Sequence, residues 1–187
     1  MSAEGMMLAV AAALEQLGVP YMVVGSFSSN VYGIPRSTHD ADFVVQFERA
    51  GVSALMEALG SGYQLDPQMS FETITATTRY RIRNVATAFT VELFLLSDDP
   101  HDRERFARRR RMPVEGGGEA FVPSAEDVVV TKLRWSRQGQ RKKDLEDVQS
   151  VLAVQRDALD WDYVHRWCDA HGTRDLLDSI RASLPPL

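Results

Sequence analysis

Asp40 and Asp42 stand two residues apart in DADFVV, a stretch that reads as the opening of an apolar strand. Alternate residues of a strand face the same way, so the two carboxylates lie side by side, within reach of one metal ion. Upstream, the apolar run YMVV ends at Gly25-Ser26 and passes into a segment that reads as a turn and a short helix. Unpaired N–H groups at a helix N-terminus favour phosphate. A phosphate cradle separated by thirteen residues from a carboxylate pair implies metal-assisted phosphoryl chemistry on a nucleotide. Glu92, inside TVELFLL, supplies a third acid. A carboxylate in an apolar strand is costly unless it is paired or bound to metal. Mg2+ (or Mn2+) takes oxygen ligands and keeps several waters, so two or three carboxylates suffice. Asp40 and Asp42 would bind metal with triphosphate oxygens. Glu92 would hold a second metal or act as base on an acceptor hydroxyl. The plainer alternatives are that Gly25 ends a strand and Ser26 caps a helix.

The elements that must position these residues follow from periodicity. A helix is expected over Ser2 to Gly18, then a buried strand over Tyr21 to Val24 and a helical turn or two over Ser26 to Tyr32. The second strand is expected over Ala41 to Phe47, and an amphipathic helix over Arg49 to Leu59 stops at Gly60 to Gly62. Tyr63 to Leu65 reads as a short edge strand. Phe71, Thr73 and Thr75 alternate as in a strand, yet a short helix is the favoured expectation within Asp66 to Thr78. Arg79 to Val85 and Phe89 to Leu96 read as paired strands. His101 to Arg111, with six arginines, reads as a helix crossing the surface, and Pro113 to Val122 as a hairpin. From Ser124 the pattern is helical: Ser124 to Trp135, Lys142 to Val154, Trp161 to Ala170 and Thr173 to Ser183, with Arg137 to Gln140 joining the first two. The fold class is therefore α/β (α+β), a small mixed sheet flanked by helices, over residues 1–123. A helical C-terminal lobe over residues 124–187 is expected to pack on it.

Composition narrows the function classes. A net charge of −5 over 187 residues argues against a general nucleic-acid coat, though not against a local basic site. One cysteine, Cys168, excludes an internal disulfide. The N-terminus lacks a basic signal-peptide region, and no apolar run reaches the roughly 18 residues of a membrane span. A cytoplasmic location and no membrane contact are expected. The tryptophans read as packing residues. His39 adjoins the aspartates but points the other way along the strand.

The order Val24-Gly25-Ser26, thirteen residues, Asp40-Ala41-Asp42-Phe43 resembles the signature of the DNA polymerase β-like nucleotidyltransferase superfamily. Downstream, PSAEDVVVTKLRW followed by RKKDLEDVQSVL resembles the minimal nucleotidyltransferases related to AbiEii-type toxins. The resemblance implies a nucleotidyltransferase fold and transfer of an NMP group from an NTP to an acceptor hydroxyl. The acceptor would be a tRNA end, a protein side chain or a small molecule such as an aminoglycoside. It implies that Gly25 and Ser26 hold nucleotide phosphates, that Asp40 and Asp42 are metal ligands, and that Glu92 is the third acid, where Asp is more usual. Lys132 would face the site, touching a phosphate or orienting a carboxylate, and Asp147 would pair with Lys132 or Arg141. The alternative for Lys132 and Asp147 is an inter-helix salt bridge. Arg36 would contact a triphosphate or face solvent. The Arg103 to Arg111 segment would be an RNA patch, a contact for an acidic partner, or a solvated face. The competing functions are a non-catalytic nucleotide-binding module and a toxin–antitoxin interaction module on the same fold.

Overall fold

The structure, a computed structural model, describes residues 2–47, 51–139 and 142–184. The chain divides into two compact units, one of residues 1–27 and 37–123, the other of residues 28–36 and 124–187.

The first unit is built on a mixed sheet. Its strands are β1 (Tyr21–Val24), β2 (Asp40–Val45), β3 (Tyr63–Leu65), β4 (Ser70–Glu72), β5 (Thr77–Asn84) and β6 (Thr90–Leu95), in the order β1-β2-β6-β5-β3 with β4 also on β5. The β2–β6 pair is parallel and the others are antiparallel. One face carries Tyr21, Val23, Phe43, Val45, Ile82, Val91 and Leu93, all buried. Helices α1 (Ala3–Gln16) and α3 (Gly51–Leu59) pack on each other, and α1 meets β2. The Ser2 hydroxyl caps α1 by accepting the Gly5 N–H, and Gly18 follows in the left-handed conformation with φ 65°. On the opposite face Met22 and Val44 cluster with Phe106 of α4 (Pro100–Ala107), and Val24 and Phe94 pack against that cluster. The same face carries Asp40, Asp42, Thr90 and Glu92 toward the start of β2, so one face is apolar at one end and acidic at the other. A two-stranded hairpin, β7 (Arg110–Val114) and β8 (Gly118–Val122), completes the unit.

The second unit contains α5 (Ala125–Gly139), α6 (Lys142–Gln155), α7 (Trp161–His171) and α8 (Arg174–Ser183). Its core gathers Val129, Leu133, Val148, Leu152, Val164 and Leu177, with Tyr32 packed against them. Tyr32 belongs to α2 (Gly25–Tyr32), a helix whose first three residues lie in the first unit and whose remainder lies in the second.

Three expectations are corrected. The segment 66–78 forms no helix: Ser70–Glu72 pairs with β5, and the Glu72 carboxylate accepts the N–H groups of Ile74 and Thr75 to fold the turn, leaving Ala76 at φ 52°. The edge of β5 beyond β3 takes up Ser70 to Glu72, while Thr73 and Thr75 lie in the turn that follows. The arginine-rich helix ends at Ala107, because Arg110 to Val114 pairs with Gly118 to Val122 across a turn whose Gly116 and Gly117 have positive φ. The expected join at Arg137 to Gln140 is helical through Gly139. Gln140, Arg141 and the expected helix start at Arg49 lie outside the described residues. Other boundaries, such as Asp40–Val45 for Ala41 to Phe47, differ by the usual residue or two.

Candidate active site

In the first unit, β1 and β2 bring Gly25 against Asp42. The antiparallel register sets Val24 opposite Asp42, and α2 starts at the next residue. A Cβ added to Gly25 would lie 2.1 Å from the Asp42 Oδ2, and Gly25 has φ +65°. Only glycine satisfies both conditions. The consequence is electrostatic: the Asp42 carboxylate is seated against Gly25 at the positive end of the α2 dipole. Asp40, two residues earlier on the same face, is exposed, and its Oδ1 accepts the Thr38 hydroxyl at 2.6 Å.

Glu92 stands in register with Asp42 on the neighbouring parallel strand. Adjacent strands lie about 4.8 Å apart, so the backbone puts the three acids on one face. The Glu92 carboxylate is held from the other side, by β5. Arg79 donates from Nη1 to Oε2 at 3.0 Å, and Arg81 donates from Nη2 and Nε to Oε1 at 2.8 and 3.2 Å. Arg79 also donates from Nε to the Ser70 hydroxyl at 2.9 Å. Among the described residues no three acid, histidine or cysteine side chains converge closely enough to hold a metal ion. Asp40 and Asp42 fit the oxygen donor set of a hydrated dication. Glu92 does not fit as a third ligand while two guanidinium groups hold it.

In the second unit a buried network ties α2 and the loop after it to α5 and α6. The Lys132 ammonium donates to Asp147 Oδ2 at 2.6 Å and to Asp144 Oδ1 at 3.1 Å. Arg36 donates from Nε to Asp147 Oδ1 at 2.7 Å and from Nη2 to Oδ2 at 2.9 Å, a bidentate fork. The Ser29 hydroxyl reaches the same carboxylate at 3.4 Å. Burial alone would raise the Asp147 pKa; the Arg36 hydrogen bonds and the Lys132 charge outweigh it and hold the group below its ordinary value. The Ile34 N–H donates to the Ser150 hydroxyl at 2.6 Å, and a Cβ on Gly33 would meet that oxygen at 2.6 Å, so the loop is seated against α6.

The structure thus joins Gly25, Asp42 and Asp40 on one face, sets Glu92 beside them in register, and joins Arg36, Lys132 and Asp147 in a separate cluster. Asp147 pairs with Lys132, as one expectation held, and also with Arg36; Arg141 lies outside the described residues. The partners of Glu92 were missed, although the alternation Arg79, Arg81, Arg83 in TTRYRIRN was a visible signal. The run from Arg103 to Arg111 presents no single basic face. Arg105 is buried on Asp102, Arg103 pairs with Asp98, and Arg111 pairs with Glu15 and Glu119. No helix among the described residues is long and apolar enough to cross a membrane.

No protein-family model and no curated protein matches the sequence. Solved structures do match its shape. The antibiotic-resistance factor ANT(2'')-Ia superimposes in solution with a TM-score of 0.63 at 13% identity, covering 95% of this chain and 95% of that one. ANT(2'')-Ia in complex with adenylyl-2''-tobramycin gives 0.59 at 13% identity, over 91% of this chain and 97% of that one. An antigenic nucleotidyltransferase-like protein from Paracoccidioides brasiliensis gives 0.53 at 18% identity, over 96% and 93%. At these identities the likeness is one of fold: a mixed sheet with flanking helices, arranged as in nucleotidyltransferases.

Proposed function

We propose that the protein is a nucleotidyltransferase that moves an NMP group from an NTP to an acceptor hydroxyl. The acceptor oxygen bonds to the α-phosphorus, the bond to the bridging oxygen of the β-phosphate breaks, and pyrophosphate leaves. The observation that carries the reading is the close approach of Asp42 to Gly25, which couples a carboxylate to the start of a helix in a fold shared with nucleotidyltransferases. Asp40 and Asp42 are the residues that would hold Mg2+ or Mn2+, which would neutralise phosphate charge and align the leaving group. Backbone N–H groups at Gly25 and Ser26 would orient phosphate oxygens. Glu92 would take the acceptor proton only by giving up an arginine. Lys132, Asp147 and Arg36 would hold the loop that follows α2 against α5 and α6.

The test is label transfer from α-32P NTPs to lysate fractions with and without Mg2+, with Asp42→Ala as control. Metal-dependent labelling that the variant loses supports the reading; equal labelling by the variant removes the site. A second reading, a nucleotide-binding module without turnover, is favoured by the arginine clasp on Glu92. Calorimetry distinguishes it, through NTP binding with no pyrophosphate release.

A further inference from the structure

The acidic face does not end at Glu92. Arg81 is in register with Glu92 and Arg83 with Thr90, while Arg79 pairs with Phe94, so all three arginines of β5 project from the face that bears Asp40 and Asp42. Their side chains are 30%, 44% and 63% exposed from Arg79 to Arg83. Arg79 and Arg81 share one carboxylate, and among the described residues Arg83 pairs with Asp66 alone, at 3.9 Å. The ladder therefore carries more positive charge than its partners neutralise. Alternate strand residues recur about every 6.6 Å, so the ladder spans about 13 Å. That is longer than one phosphate group and suits a ligand whose charge repeats along a chain. A guanidinium is a planar fork matched to phosphate oxygens.

We propose that Arg79, Arg81 and Arg83 form the acceptor subsite of this protein and bind the phosphodiester backbone of a single-stranded nucleic acid ending in a free hydroxyl. The inference rests on the nucleotidyl-transfer reading above, which requires an acceptor hydroxyl beside the acids. A strand end supplies that hydroxyl next to its own phosphates. A polycationic acceptor would instead meet like charge along the whole of β5. Phosphate binding at the ladder would also compete with Glu92 for Arg79 and Arg81, and so would release that carboxylate when the acceptor arrives.

The experiment titrates the full chain against a fluorescein-labelled oligouridylate of about twelve nucleotides, by anisotropy over a salt series. NTP binding is followed separately by calorimetry on the same samples. Arg83→Ala is the primary variant, because its side chain is 63% exposed and its pair with Asp66 is long, at 3.9 Å; Arg81→Ala and Arg83→Glu accompany it. Each alanine should weaken oligonucleotide binding several-fold and lower the log–log salt slope by about 0.7, with Arg83→Glu weaker still and NTP affinity unchanged in the two Arg83 variants. Unchanged binding and slope in Arg81→Ala and Arg83→Ala overturns the proposal, as does equal competition by oligoglutamate. Loss of NTP affinity with oligonucleotide binding intact would assign the ladder to the triphosphate and also overturn it. NTP binding and label transfer without oligonucleotide binding would remove this inference alone. Ladder-dependent oligonucleotide binding without any NTP binding would uphold the surface and remove nucleotidyl transfer.

Discussion

Gly25→Ala is the sharpest test of the geometry around Asp42. Gly25 sits at φ +65°, where an L-residue costs roughly 1–2 kcal/mol. The new methyl would fall 2.1 Å from the Asp42 Oδ2 and 3.0 Å from its Cγ, so the carboxylate must move. Overpacking of this kind costs about 1–3 kcal/mol. Gly18→Ala is the matched control, with the same φ of +65° and nothing within 4 Å of the added Cβ. It should lose only the conformational part. Urea unfolding followed by circular dichroism should therefore place Gly25→Ala about 1–3 kcal/mol below Gly18→Ala. Truncating the obstacle gives the decisive comparison. In an Asp42→Ala background the penalty of Gly25→Ala should shrink to nearly that of Gly18→Ala, a coupling of about 1–3 kcal/mol between residues in contact. If the penalty is the same in both backgrounds, Gly25 and Asp42 are not in contact, and the start of α2 is not coupled to the acid pair.

Two further predictions concern other parts of the chain. Asp147 has a depressed folded pKa, so its contribution is present above its unfolded value and is lost as pH falls through the folded one. Asp147→Asn should cost about 2–4 kcal/mol at pH 7 by leaving Lys132 and Arg36 short of a counter-charge, and clearly less near pH 3; urea unfolding with the same penalty at both pH values would contradict it. Ala76→Gly should raise stability by roughly 0.5–1 kcal/mol, since Ala76 sits at φ 52° and relief there exceeds the added freedom of the unfolded chain. A lower urea midpoint for that variant would show the turn folds otherwise.

The parts of the site that local chemistry defines were readable from the sequence. YMVV and DADFVV marked two strands, the second with an alternation that set Asp40 beside Asp42, and Gly25 marked the passage from the first strand, which proves to run straight into α2 without a turn. Glu92 in an apolar run signalled a carboxylate that needed partners. Which partners it has depends on β5 lying antiparallel on its far side, and strand order is a long-range property that alternation does not encode. The bond from Arg36 to Asp147 spans 111 residues and rests on the loop being seated against α6, which no local pattern announces. Between Asp66 and Thr78 the strand alternation was present but short. The free half of the β5 edge decided the outcome there. The segment His101 to Arg111 read as one surface helix, but two of its six arginines, Arg110 and Arg111, belong to a strand whose partner lies beyond the Gly-rich turn.

The helical unit is threaded from two distant pieces of chain, residues 28–36 and 124–187. During synthesis the first piece emerges long before the helices that receive it, and Ser29 waits 118 residues for Asp147. Such contacts close late, because a long loop must be ordered before they form. Until then Arg36 lacks the carboxylate that holds it and Tyr32 lacks its apolar neighbours. A fragment starting at Ser124 would carry α5 to α8 but leave Lys132 and Asp147 without Arg36 and the core without Tyr32. Cutting the chain at its apparent change of character would thus produce a helical piece with an open seam, because residues 28–36 belong to the helical unit and would be left behind.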